Sequence, residues 1–346
     1  MKAARYDPST GKVEVQRIPL PQLENDLMLV KTISSGLCHS DMLVLHGKAP
    51  FTEDKAVTIG HEAVGEVIEI GRDVKDIFKV GDKVGFLNGL RACWKCEGCA
   101  KYYAFCEAGK FKMQGFACDG FLQEYILVDP NAAFVLPSGV DPRKFAPICC
   151  AGITSYNSVK VAKLEKCQWI GMVGCGGVGQ LGIRYAVAKG LNVVAIDIDD
   201  SILETAKQAG VKHIINSRTN QNAVEEIKKL VPHGRGVDAV VVYAGVNAGY
   251  RFGQQIVKTG GRFVSVGVPE GEISFPAHEV PLERYTIHGA SNHGTRPMFT
   301  ECAQFTKDHG IESPSQLFKI EQIGEMITLM EEGRMQGKRL IVDFSS

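Results

Sequence analysis

The chain is predicted to be an α/β protein, a doubly wound parallel sheet joined to a β-rich unit. Three observations predict it. From Gln168 onward, fully apolar runs of strand length alternate with amphipathic helical patterns, the signature of βαβ units covered on both faces. The stretch Gly174-Cys175-Gly176-Gly177-Val178-Gly179 lies where the first of those runs ends and the first helical pattern begins. Before about Pro147 the chain shows short alternating runs broken by glycine turns, which read as strands.

Residues 64–70 alternate apolar and polar side chains, Gly71-Arg72-Asp73 turns the chain, and residues 80–84 turn it again. Such short strands suggest a partly open barrel. The character changes near Pro147. Residues 169–173 form the first apolar run, followed by a helical pattern over 181–189; residues 192–196 form the second, followed by a helix over 201–209. Residues 239–242 and 262–266 read as two further buried strands. After about Thr286 the alternation stops, and residues 340–343 read as a closing strand. No internal repeat or low-complexity tract interrupts this order.

Composition narrows the function. A length of 346 residues suggests two domains at roughly 100–200 residues each. The apolar fraction of 45% is ordinary for a chain with a sizeable core, and the formal net charge is zero with no basic block. Nucleic acid and anionic membrane surfaces are therefore not expected as partners. Residues 1–7 carry no apolar segment of signal-peptide type, and no run approaches the ~20 apolar residues of a membrane span. Eleven cysteines in such a chain favour reduced thiols and metal ligands over disulfides, and so a cytoplasmic setting.

The glycine stretch fits G-x-G-x-x-G. Gly174 allows the tight turn, Gly176 lets backbone approach a pyrophosphate, and Gly179 lets helix and strand pack closely; Gly177 and Val178 complete the expected cofactor-binding stretch. Its N-terminus offers free N–H groups and a positive dipole end to an anion. Asp197 ends the next strand about 20 residues on, where a carboxylate accepts hydrogen bonds from ribose hydroxyls. Ile198-Asp199-Asp200 follow, with no Arg or Lys beside them for a 2′-phosphate. NAD is therefore expected rather than NADP.

The cysteines are not evenly spread. Cys93, Cys96, Cys99 and Cys106 have the C-x2-C-x2-C spacing, plus a short loop, that lets four thiolates converge on one zinc. Cys38, His61 and Cys150 are far apart, and a mixed set of two sulfurs and a nitrogen is what a catalytic zinc with an open position uses. Spacing alone leaves Cys149 and Cys150 as alternatives.

Gly36-Leu37-Cys38-His39-Ser40-Asp41, residues 60–65 (Gly-His-Glu-Ala-Val-Gly), the four-cysteine stretch, Cys150-Ala151-Gly152-Ile153-Thr154 and the glycine motif together resemble the zinc-dependent alcohol dehydrogenases of the medium-chain dehydrogenase/reductase superfamily. The resemblance spans essentially the whole chain and is nearest the yeast-like and cinnamyl-type branches. It implies a GroES-like catalytic domain over residues 1–147 and 288–346, with a structural zinc lobe at about 91–110, around a Rossmann NAD-binding domain over 148–287, and an active site in the cleft between them. It implies two zinc ions per chain: a structural one on Cys93, Cys96, Cys99 and Cys106, and a catalytic one on Cys38, His61 and Cys150, the cysteine directly before Ala-Gly. Glu62 would stand behind the metal or exchange as a ligand, paired with Arg339. Asp41 would fix the His61 tautomer, Ser40 would pass the alcohol proton outward, and His39 would lie by the cofactor pyrophosphate.

Three departures from the family pattern stand out. Only six residues separate Cys99 from Cys106, which predicts a tight lobe. Leu43 replaces the histidine that many relatives use to complete a proton relay, leaving His46 as a weak substitute. Ala49 stands where yeast-type enzymes carry a pocket tryptophan, and Phe86 is expected to keep an aromatic wall. The function implied is reversible hydride transfer between an alcohol and NAD. The alternatives are a polyol dehydrogenase of the same superfamily and a non-catalytic zinc redox-sensing or scaffold protein. A small-molecule substrate and a homo-oligomer, a tetramer before a dimer, complete the expectation.

Overall fold

The computed structural model describes residues 1–49, 52–53, 55–74 and 77–345. The chain forms two compact units, one of Met1–Cys150 with His293–Ser346 and the other of Ala151–Asn292.

The second unit is built from the apolar runs. Its six strands are all parallel, in the order His213–Asn216, Asn192–Asp197, Trp169–Val173, Val237–Val242, Val257–Ser265, Tyr285–Gly289. Every residue of Val237–Val242 is buried, as a central strand covered on both faces requires. The strand order steps outward from Trp169–Val173 in both directions, so the topological switch lies between it and Val237–Val242, at the loop that carries Gly174. The two edge strands, His213–Asn216 and Tyr285–Gly289, are not among the runs the sequence pattern marks. Both are short and partly exposed, so neither reads as a buried strand.

The first unit is centred on a seven-stranded mixed sheet. Its centre is the long strand Met28–Leu37, which pairs antiparallel with Glu62–Ile70 on one side and with Arg339–Asp343 and Tyr125–Val128 on the other. The segment at residues 80–84 turns through Gly81 (φ +91°) and then enters the strand Lys83–Phe86. One core cluster lies around Met28, Val67, Val84, Phe86 and Phe121. A second gathers Leu37, Met42, Ala49, Ile59, Phe116 and Met326. Among the described residues no helix is long and apolar enough to cross a membrane.

Candidate active site and metal centres

Register builds the buried site. Cys38 follows the strand Met28–Leu37 and caps the helix His39–Leu45; His61 precedes the strand Glu62–Ile70. Gly36 pairs with Glu62, and Leu37 with Leu340, so Glu62 and Arg339 flank one end of the central strand. Arg339 donates to both oxygens of Glu62 at 2.7 Å. Gly36 is glycine for a steric reason: a Cβ there would lie 1.9 Å from Glu62 Oε1. Cys150 closes the 3-10 turn Ala146–Cys149.

One ligand atom from each of Cys38, His61, Glu62 and Cys150 lies within 4.8 Å of all the others, and all four residues are buried. Asp41 braces the group from the first helical turn. It accepts from the Cys38 backbone N–H at 2.8 Å and from His61 Nδ1 at 2.9 Å, which leaves Nε2 with its lone pair toward the cluster, 3.3 Å from Cys150 Sγ. The neighbouring Cys149 faces away, its sulfur against Gly85 in the barrel. A hydrogen bond with Cys150 holds the Cys38 thiol well below the ordinary range, against its burial, while the same bond pushes Cys150 up. Burial raises the Glu62 carboxyl to about 7, with Arg339 drawing it down and Cys38 pushing it further up. Two thiols, an imidazole lone pair and a carboxylate, out of water around a common centre, are a donor set for a borderline-soft divalent cation.

The four-cysteine lobe is built differently. Its ligands come from one short segment, and three of them are half-exposed. Backbone N–H groups do the bracing: Cys93 N donates to Cys106 Sγ at 3.2 Å, and Cys99 N and Glu107 N donate to Cys96 Sγ at 3.4 and 3.5 Å. The Cys93 and Cys99 sulfurs are 3.8 Å apart. Two thiolates on a tetrahedral zinc with bonds of about 2.3 Å stand about 3.8 Å apart, so the spacing fits that ion. The lobe closes tightly where Gly98 passes Phe105; a Cβ on Gly98 would lie 1.8 Å from the Phe105 carbonyl oxygen.

In the second unit the glycine motif adopts the conformations its residues permit. Gly174 has φ +88°, and a Cβ there would meet Ala244 N at 2.6 Å; a Cβ on Gly179 would meet Gly174 O at 2.1 Å. At Gly176 nothing lies within 4 Å of such a Cβ, so the backbone is open where a pyrophosphate would approach the helix Gly177–Ala188. Asp197 ends its strand and accepts from Cys175 N at 2.6 Å, Ile198 N at 2.7 Å and Asp199 N at 3.2 Å. It therefore braces the glycine turn from the end of the neighbouring strand. Ser201 holds the Asp199 carboxyl below its usual range, with Arg218 adding a smaller pull. That places a cation near the acidic loop which sequence order alone does not reveal.

Of the remaining site candidates, His39 is exposed and Ser40 half-buried in the first turn after Cys38. Leu43 packs against apolar neighbours, and His46 lies exposed beside Glu331 at 3.4 Å. Ala49 is 8% exposed, in the cluster that also holds Phe116. Phe86 is corrected. It has no exposed surface and lies edge-on to Phe121 at 4.9 Å inside the other cluster, so its ring offers no face to a substrate. Among the described residues, the ring packed against the His61 imidazole is Phe116, 5.5 Å away. It sits in a loop without periodicity, where no pattern in the sequence singles it out.

Two family models match: Alcohol dehydrogenase GroES-like domain over residues 24–138 and Zinc-binding dehydrogenase over residues 177–308. An alcohol dehydrogenase of Geobacillus stearothermophilus is 32% identical over 344 residues, 98% of each chain. Among solved structures, the alcohol dehydrogenase of Aeropyrum pernix superposes with a TM-score of 0.87 at 24% identity, covering 99% of this chain and 100% of that one. Acetophenone reductase from Geotrichum candidum, in complex with NAD, gives 0.85 at 23%, covering 99% and 96%. These two structural likenesses carry the fold, and the Geobacillus relative carries the family. The chain belongs to the zinc-dependent alcohol dehydrogenases of the medium-chain dehydrogenase/reductase superfamily.

Proposed function

We propose that this protein catalyses the reversible oxidation of an alcohol to an aldehyde or ketone, using NAD and a catalytic zinc held by Cys38, His61 and Cys150. A second zinc on Cys93, Cys96, Cys99 and Cys106 secures the lobe. The observation that carries the reading is the convergence of the four buried donors at residues 38, 61, 62 and 150. Alcohol dehydrogenase relatives support the reaction class and disfavour a scaffold without turnover.

Zinc at that position supplies Lewis acidity toward the alcohol oxygen, and NAD supplies the hydride acceptor. The chain's own residues do the rest. Asp41 keeps His61 in the tautomer that presents Nε2. Arg339 neutralises Glu62, so an excess negative charge does not build up behind the ligands. Ser40 takes the hydroxyl proton as the alcohol becomes an alkoxide. Beyond Ser40 the proton passes to water, since Leu43 has no group to carry it. Asp197, Asp199 and Asp200 outnumber Arg218 and disfavour a 2′-phosphate, which supports NAD over NADP. The eleven free thiols fit a cytoplasmic setting. The edge strand Tyr285–Gly289 is paired on one side only, which suits a homo-oligomer.

Assays of alcohols and carbonyls with NAD and with NADP, following nicotinamide absorbance on zinc-replete protein, test the reading. NAD reduction by at least one alcohol is expected. No turnover with any alcohol would refute it, and equal efficiency with NADP would refute the ribose assignment.

A further inference from the structure

We propose that Tyr243 is a positioning residue for the dinucleotide, gripping the glycine turn at residues 174–179 from both ends, once through its main chain and once through its hydroxyl. This rests on the NAD reading above. Tyr243 directly follows the strand Val237–Val242, the neighbour of Trp169–Val173 across the topological switch. Its N–H donates to Val173 O at 2.8 Å, and Ala244 N donates to the same oxygen at 3.1 Å. Val173 is the last residue before Gly174, so the main chain of Tyr243 fixes the segment that enters the turn.

The hydroxyl reaches the segment that leaves the turn. Tyr243 Oη lies 2.6 Å from Ser158 Oγ; Ser158 Oγ donates to Ser155 O at 2.7 Å, and Ser155 Oγ donates to Val178 O at 2.7 Å. A hydroxyl has one hydrogen to give, so between the first two the tyrosine donates and Ser158 accepts. Both serines lie on the helix Ala151–Val161 and have no exposed surface. Burial holds the Tyr243 phenol well above its ordinary range, so it keeps the hydrogen it donates. Val178 stands in the first turn of the helix Gly177–Ala188. Three hydroxyls thus connect the end of one strand to the start of the dinucleotide helix, with every hydrogen placed.

The helix is shaped to receive the ring. A Cβ on Gly182 would lie 2.1 Å from Tyr243 Oη and 2.6 Å from its Cζ, and one on Gly179 would lie 3.5 Å from its Cδ2. Positions 179 and 182 share a helix face, so one edge of the ring runs along that face. Glycine is a poor helix residue, and Gly182 lies outside the G-x-G-x-x-G pattern; the phenol accounts for it. The middle of the turn is held separately. Asp197 accepts from Cys175 N at 2.6 Å, and the fully buried Gln180 donates through Nε2 to Cys175 O at 2.9 Å. The N–H groups of a helix start bind a pyrophosphate only where the turn aims them, and a turn already held costs less to order on binding. Without the phenol hydroxyl, Ser158 Oγ would lose its donor inside the protein, and the Val178 end of the turn would loosen.

The test compares wild type with Tyr243→Phe, Ser158→Ala and the double variant. The Kd of NADH is measured by fluorescence titration, that of ADP-ribose by calorimetry, and the unfolding temperature alongside. ADP-ribose carries the pyrophosphate but no nicotinamide, so a role at the turn predicts equal losses for both ligands. Each single variant should weaken both by about fivefold, the range one hydrogen bond commands, with the unfolding temperature within a few degrees of wild type. The double variant should bind no more weakly than the worse single one, because the two hydroxyls act as a unit. Should Tyr243→Phe fail to fold, Ser158→Ala keeps the ring and carries the test alone. Affinities within twofold of wild type in the single variants would overturn the proposal, whatever happens to stability. A loss confined to NADH, or losses that multiply in the double variant, would overturn it too. A wild type that binds neither NADH nor ADP-ribose would instead refute the NAD reading itself, and this role with it.

Discussion

The two cysteine sites differ in every way that matters to their roles. The lobe takes four sulfurs from residues 93–106, leaves three of them half-exposed and braces them with main-chain N–H groups. The buried site draws its donors from three places spread over residues 38–150, buries all four and braces them with charged side chains, Asp41 on His61 and Arg339 on Glu62. A site closed by local backbone stabilises its own loop. A site assembled from the end of one strand, the start of its neighbour and a 3-10 turn depends on the packing of all three. The difference teaches that similar donor chemistry can be built in two ways, and it underlies the proposal that one site is a clamp and the other a reaction centre.

The largest separation should come from Cys38→Ser. Removing a ligand of the open site should abolish turnover while leaving the circular dichroism spectrum and the unfolding temperature near wild type. A drop in stability as large as that of a lobe variant would erase the distinction. Cys96→Ser should do the opposite, lowering the unfolding temperature by on the order of 5–10 °C, because metal binding in such a lobe is folding free energy. The kcat of the protein that remains folded should stay within a few fold of wild type.

What the sequence discloses follows the same line. The lobe is legible because its ligands are neighbours and their spacing carries the geometry. The glycine motif is legible because turn, helix and acidic residue occur in a fixed local order. The buried site is not legible from spacing at all: Cys38, His61 and Cys150 were joined by family resemblance, and it is the register of Gly36 with Glu62 and Leu37 with Leu340 that brings their flanks together. Phe86 was misassigned because a fully buried strand residue and a pocket residue look alike in one dimension. Phe116 is not legible because its loop is folded onto Gly60 through Gly115 and Gly120 rather than belonging to a periodic element. The edge strand Tyr285–Gly289 is not legible because Thr286 and His288 break the apolar run that marks the central strands.

Smaller effects sharpen the contrast between charged and backbone bracing. Asp41→Asn keeps the shape but weakens the charge that orients His61, and it should cost about 10–100-fold in zinc affinity or kcat/KM. A loss under twofold would mean that packing alone orients the ring. Asp197→Ala removes a carboxylate that accepts three backbone N–H bonds and is the proposed ribose partner. NADH binding, followed by fluorescence titration, should weaken roughly tenfold, the equivalent of about 1.4 kcal/mol, and the preference over NADPH should shrink. An unchanged preference would move the source of discrimination to Asp199 and Asp200.

Zinc content per chain, measured on wild type, Cys38→Ser and Cys96→Ser in parallel, tests the division of roles most directly. Two ions in wild type and one in each variant are predicted, with the single ion of Cys96→Ser in a protein that still turns over alcohol. One ion in wild type, or loss of both from either single variant, would contradict two independent metal centres.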